Sequence, residues 1–141
     1  MKSLEDAFDQ ACARFSSNNF AQLDEVDKIL VTIWGLEAEV NNGGFDQYYF
    51  NGSGDQAFYA VNALQSIGAN NMASIVSSAN NVFAADGPSR DGNVRQSQLF
   101  LVAPDNGMPS PWEDIDRAFY VYPDNIASLL TTYLRAAGRL S

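Results

Sequence analysis

Glu39, Asp46 and Asp55 lie in one short run, with the amides Asn41, Asn42, Gln47 and Asn51 and the rings of Phe45, Tyr48, Tyr49 and Phe50 between them. Paired carboxylates can do acid–base work when their environments hold them in different protonation states. Amides beside aromatic rings can instead hold a small ligand. The same residue types also build a structural corner, in which Asn and Gln satisfy orphan backbone groups at a helix end while the rings pack inward. The chain has no histidine and one cysteine, Cys12. These counts exclude Ser-His-Asp and Cys-His catalysis, a histidine-ligated metal, a cysteine-based zinc site and an intramolecular disulfide. No metal or cofactor is expected, and the balance moves from catalysis toward binding.

The elements that must position this run read as helices almost throughout. Leu4, Phe8, Ala11, Cys12 and Phe15 recur at helical spacing behind Ser3, a candidate N-cap. Cys12 on that stripe reads as a small buried hydrophobe. Val26, Ile29, Leu30, Ile33, Trp34, Glu37 and Val40 form a second helix whose first turn carries Asp24, Glu25 and Asp27. Asn41-Asn42-Gly43-Gly44 should stop it, because Asn and Gly accept the left-handed cap. A short aromatic segment, 45–50, follows. Further helices are expected over 55–67, from Met72 to Phe83, over 94–102 and over 112–120, with Phe58 facing inward. The Leu-Phe-Leu-Val run at 99–102 also admits a strand. A last helix carries Ile126, Leu129, Leu130, Tyr133 and Leu134, with Pro123 in its first turn. The expectation is a single all-α domain over residues 1–141, of about seven helices.

Composition supports one packed domain. The 141 residues are 46% hydrophobic and 12% aromatic, which excludes a disordered acidic tail. Met1-Lys2-Ser3-Leu4-Glu5-Asp6 has no apolar stretch after its lysine, and no apolar run approaches the ~20 residues of a membrane span. A cytoplasmic protein without a membrane partner is expected. Gly52-Ser53-Gly54 does not follow a strand, which argues against a phosphate loop. The 86–93 loop places Pro88 and Arg90 where a calcium loop needs oxygen ligands.

Charge is the strongest functional signal. Seventeen acids against eight bases give −9, so the chain repels nucleic acid at long range and attracts basic partners. Residues 1–124 hold all 17 acids and six bases, whereas 125–141 hold only Arg135 and Arg139. The last helix therefore reads as core packing with a basic end, or as a dimerisation helix. Glu5, Asp6, Asp9, Asp24, Glu25, Asp27, Glu113, Asp114 and Asp116 are the candidates for an acidic partner surface. Each group lies at a helix start, where acids also serve as caps. Spacing predicts that Asp24 pairs with Lys28, Asp91 with Arg95 and Glu113 with Arg117.

The run Glu39-Val40-Asn41-Asn42-Gly43-Gly44-Phe45-Asp46-Gln47-Tyr48-Tyr49-Phe50-Asn51, with Gly54-Asp55 and Ile67-Gly68-Ala69 after it, resembles a bacterial family of small acidic proteins. That family was formerly classed as a domain of unknown function, and it includes a double-stranded-DNA mimic acting on a transcription regulator. Trp112, Asp116, Tyr120 and Tyr133 extend the resemblance more loosely. It implies an all-helical fold, with Glu39, Asn41, Asn42, Gly43, Gly44, Phe45, Gln47 and Asn51 as a fold-forming corner. It also implies mimicry through surface carboxylates outside that corner. DNA carries one charge per ~1.7 Å of axis, so about 20 charges span the roughly 35–40 Å of a chain this size. The 17 carboxylates are of that order, and an aligned homodimer would copy DNA better. Three functions follow. The first is a DNA mimic that binds a basic DNA-binding protein such as a regulator. The second is an immunity or antitoxin protein that neutralises a basic nuclease. The third is a ligand binder or carboxylate enzyme using the Glu39–Asp55 segment.

Overall fold

A computed structural model describes residues 3–84 and 86–140. Met1 and Lys2, where the sequence was read for a leader, lie outside them. Among the described residues there are seven α-helices and no strand. They are α1 (Leu4–Ser17), α2 (Glu25–Phe50), α3 (Ala57–Ser66), α4 (Asn70–Asn80), α5 (Gly92–Val102), α6 (Glu113–Tyr120) and α7 (Ile126–Ala136). Two 3-10 turns, Phe20–Gln22 and Gly52–Gln56, lead into α2 and α3. The 99–102 run is helical. Among the described residues, no helix is long and apolar enough to cross a membrane.

Helix α2 is the centre of the fold, and α1, α3, α5 and α6 pack around it. Ile29, Leu30, Ile33, Leu36 and Val40 are fully buried, and Val31 and Thr32 nearly so. A helix apolar on most faces must be enclosed by others. Ile126, Leu130 and Leu134 of α7 are buried, so core packing occupies that helix's apolar stripe. Caps fix the helix starts. Ser3 forms a reciprocal box with Asp6, while Asp24, Asp91 and Asn125 accept backbone N–H groups at the starts of α2, α5 and α7.

The expected stop at Asn41-Asn42-Gly43-Gly44 is present, as a kink that joins two helical segments under the label α2, whereas the expectations for Pro123 and Phe58 need correction. Gly44 adopts φ +73°, and the helix resumes through Phe50. The resumed segment needs acceptors for its first N–H groups, and the Asp116 carboxylate takes Phe45 N–H at 2.9 Å. Pro123 precedes α7, which starts at Ile126 behind the Asn125 cap. Phe58 is exposed and lies under the Arg90 guanidinium, 3.9 Å from the ring centre.

Candidate functional site

The break in α2 organises a polar network. Glu39 Oε2 accepts from Gln47 Nε2 and Asn51 Nδ2, both at 2.8 Å. Asn42 Nδ2 donates to Gln47 Oε1 at 3.1 Å. Asn41 Nδ2 donates to the Tyr122 hydroxyl at 2.8 Å, and that hydroxyl donates to Glu37 Oε2 at 2.6 Å. Tyr120 donates to Val40 O at 2.9 Å. The expectation that Asn41, Asn42 and Gln47 bond backbone groups is therefore corrected, since all three bond other side chains. The backbone groups at the break are met from α6 instead, where Asp116 accepts the Phe45 N–H and Tyr120 donates to Val40 O. Burial pushes the Glu37 carboxyl up, partly offset by the Tyr122 hydroxyl bond. Burial and the neighbouring Glu37 push Tyr122 up to about 12.

The glycines at this corner have steric reasons. A Cβ on Gly44 would stand 2.5 Å from Asp116 Oδ2, at a φ that already disfavours L side chains. A Cβ on Gly43 would meet Gln47 Oε1 at 2.1 Å, the side-chain end of the same network. Trp112 packs against the rings of Tyr49 and Phe83, is fully buried, and donates its indole N–H to Ala79 O at 3.0 Å.

Arg95 closes the far end of α2. Its side chain is fully buried, and it donates to Tyr49 O at 2.6 Å, Ser89 O at 2.9 Å and Asn51 O at 3.0 Å. Its ion pair is with Asp55 at 3.0 Å. A guanidinium among the last carbonyls of a helix meets both their unfilled lone pairs and the negative dipole end. The Asp91–Arg95 pair expected from spacing does not form, because Asp91 caps α5 and Arg95 turns inward. Sequence reasoning missed this residue. The available signal was an arginine one turn before Leu99 on the inward stripe of α5.

The three carboxylates first considered for chemistry have separate surroundings. Glu39 is held by amides and Asp55 by Arg95. Asp46 lines a surface groove that neither of the other two lines.

The nine candidate partner-surface acids divide just as clearly. Glu5 and Asp9 are exposed on α1, and Asp6 is exposed while capping with Ser3. Glu25 accepts from the Tyr59 hydroxyl at 2.6 Å. Asp24 pairs with Arg139 at 2.5 Å rather than with Lys28, which sits over the Phe20 ring. Asp27 was expected on an exposed first turn. It is 2% exposed, and accepts from Arg14 at 2.5 and 2.8 Å and from Arg139 at 3.0 Å. The bond from Arg14, with Arg139 beside it, holds the Asp27 carboxyl below the ordinary range against the opposing effect of burial. The basic C-terminal end thus folds back onto the acidic start of α2. Glu113 and Asp114 are exposed and both bond Arg117, Glu113 at 3.5 Å. Asp116 is half-buried at the Gly44 break, where burial and the nearby Asp46 charge raise its carboxyl against the Phe45 N–H bond. Asp105, unremarked in the sequence, joins Asp46 along the groove.

Residues 21–137 match the family model described as DMP19-like protein. No curated protein and no solved structure matches. The match spans well over half of the chain, so the protein belongs to the DMP19-like family.

Proposed function

We propose that this member of the DMP19-like family is a protein-binding module that mimics DNA. It presents carboxylates to the basic surface of a DNA-binding protein, such as a transcription regulator, and competes with DNA for it. The observation that supports this most is the inequality of pairing within a net charge of −9. Arg14, Arg95, Arg117 and Arg139 are committed to internal ion pairs. Glu5, Asp9, Asp46, Asp86 and Asp105 form no ion pair among the described residues. Cations are used inside the fold, and carboxylates are left for a partner. Internal pairing also lowers the charge available below the 17 of the sequence, so a pair of chains would match the charge of DNA more closely than one.

The test begins with capture of a partner from a bacterial lysate at low salt, and its DNA complex then meets increasing amounts of this protein. The expected result is release of DNA, reversal by excess DNA, and affinity falling steeply between about 50 and 500 mM salt. A partner holding this protein and its DNA at once, or affinity indifferent to salt, overturns mimicry. A captured nuclease whose active site is covered selects the immunity reading instead.

A further inference from the structure

The C-terminal end of α2 and the helix α5 enclose a groove of about 410 Å³. Leu99 lies at its floor, and Phe50 and Phe100 line it while 56% and 72% exposed. A second depression of about 340 Å³ runs under the 102–111 loop. Asp46, Ala103 and Asp105 line both cavities, so the two carboxylates stand where the apolar groove meets its polar continuation. Neither carboxylate has an ion-pair partner among the described residues.

We infer that this furrow docks a cationic amphipathic segment of a partner protein, with an apolar side chain against Leu99, Phe50 and Phe100 and a lysine or arginine between Asp46 and Asp105. This rests on the reading of the chain as a protein-binding module. Charge complementarity selects the occupant. An acidic or neutral apolar segment would desolvate two carboxylates without compensation. A second copy of this chain is poorly suited as well. Arg14, Arg90, Arg95, Arg117 and Arg139 are engaged with its own carboxylates, carbonyls and rings, and each copy adds a net −9. A basic segment gains on both halves of the furrow. The apolar half adds a component of affinity that salt does not screen, because burial of hydrocarbon is not a charge interaction. DNA has no equivalent of it, so such a partner would retain this protein at salt that weakens its hold on DNA.

The probe is a two-heptad peptide repeating Leu-Lys-Lys-Leu-Leu-Lys-Leu, titrated into the full chain with amide resonances followed by NMR. Two control peptides carry serine for every leucine, or glutamate for every lysine. Shifts are expected at Phe50, Leu99, Phe100 and Ala103, and neither control should produce them. Phe100→Ser should weaken binding about tenfold or more at both low and high salt, the scale expected for one buried ring. Asp46→Asn with Asp105→Asn should weaken it at low salt and much less at high salt. Thermal melting checks that each variant folds, and Phe50→Ser, from the other helix of the groove, repeats the test if Phe100→Ser does not. Shifts confined to α1 and the start of α2, equal binding of the serine control, or indifference to both ring variants overturns the inference. So does a dimer in sedimentation that Phe100→Ser converts to monomer, which would make a second copy the occupant. None of these outcomes alters DNA release from a captured regulator, so the failure of either proposal is recognisable by itself.

Discussion

At the start of α2, carboxylates meet guanidiniums, whereas at its C-terminal end Asp46 and Asp105 stand with none. Asp24 and Asp27 bind Arg139, and Asp27 also takes both Arg14 bonds. Both regions count as negative in the sequence, yet they do opposite work. The first joins α1, α2 and the C-terminal end of the chain into one body, and its charge is spent there. The second keeps its charge available. Net charge is therefore a poor guide to an interaction surface until internal pairs are subtracted.

The largest expected effect comes from the fully buried cation. Arg95→Ala takes the guanidinium donors from the carbonyls of Tyr49 and Ser89, leaves Asn51 O with the Gly54 N–H alone, and opens a cavity beneath α5. A loss of about 3–5 kcal/mol is expected in chemical denaturation. A loss under about 1 kcal/mol would mean that water replaces the guanidinium.

Gly44→Val comes next. It combines a left-handed φ with a collision at the Asp116 carboxylate, and should cost about 2 kcal/mol or more. Gly52, which has open space around its Cβ position and no positive φ, is the control, and alanine there should leave the denaturation midpoint almost unchanged.

Asp27→Asn tests the clasp itself. Its partner Arg14 is 44% exposed and can regain water, so the expected loss is about 2 kcal/mol rather than that of a fully buried pair. The folded carboxyl of Asp27 lies below its unfolded value. Its stabilisation is therefore complete above the unfolded carboxylate pKa and disappears as pH falls through the lower, folded one. Asp116 has the opposite sign. Its folded carboxyl is raised, so stability declines as pH rises from the unfolded value through the folded one, and ionised Asp116 is a cost above that window. Melting curves across the acid range should lose part of their low-pH decline in Asp27→Asn. In Asp116→Asn, which keeps an acceptor for Phe45, the decline should steepen. Parallel curves for the two variants would break the comparison.

The smallest effect on stability belongs to the unpaired rim. Asp46→Asn with Asp105→Asn should leave the melting temperature unchanged while reducing the salt dependence of partner binding. A clear loss of stability would show that these carboxylates, like Asp27, belong to the fold. Removing Asp24, Glu25 and Asp27 together, by contrast, cannot be a pure test of the binding surface, since Asp27 is core.

The helices were legible because their causes are local. The apolar spacing of Ile29, Leu30, Ile33 and Val40, the cap at Ser3 and the left-handed Gly44 all act within a few residues, and burial in the structure follows them. The corner at Glu39–Asn51 was legible as a corner, though its bonding was not. Asn41 reaches Tyr122, and Asp116 reaches Phe45, across separations that spacing rules do not address.

The sequence by itself determined an all-helical chain with an excess of acids, no histidine chemistry and a helix break at paired glycines. Only the tertiary structure decided which acids are spent. A helical pairing rule places Asp24 with Lys28 and Asp91 with Arg95, because four residues bring side chains onto one face. In the folded chain Arg139 reaches Asp24 and Asp27, and Arg95 turns to the carbonyls ending α2. A buried guanidinium must have its donors satisfied, so it goes to the acceptors the fold encloses with it, and an exposed neighbour on the same helix cannot compete.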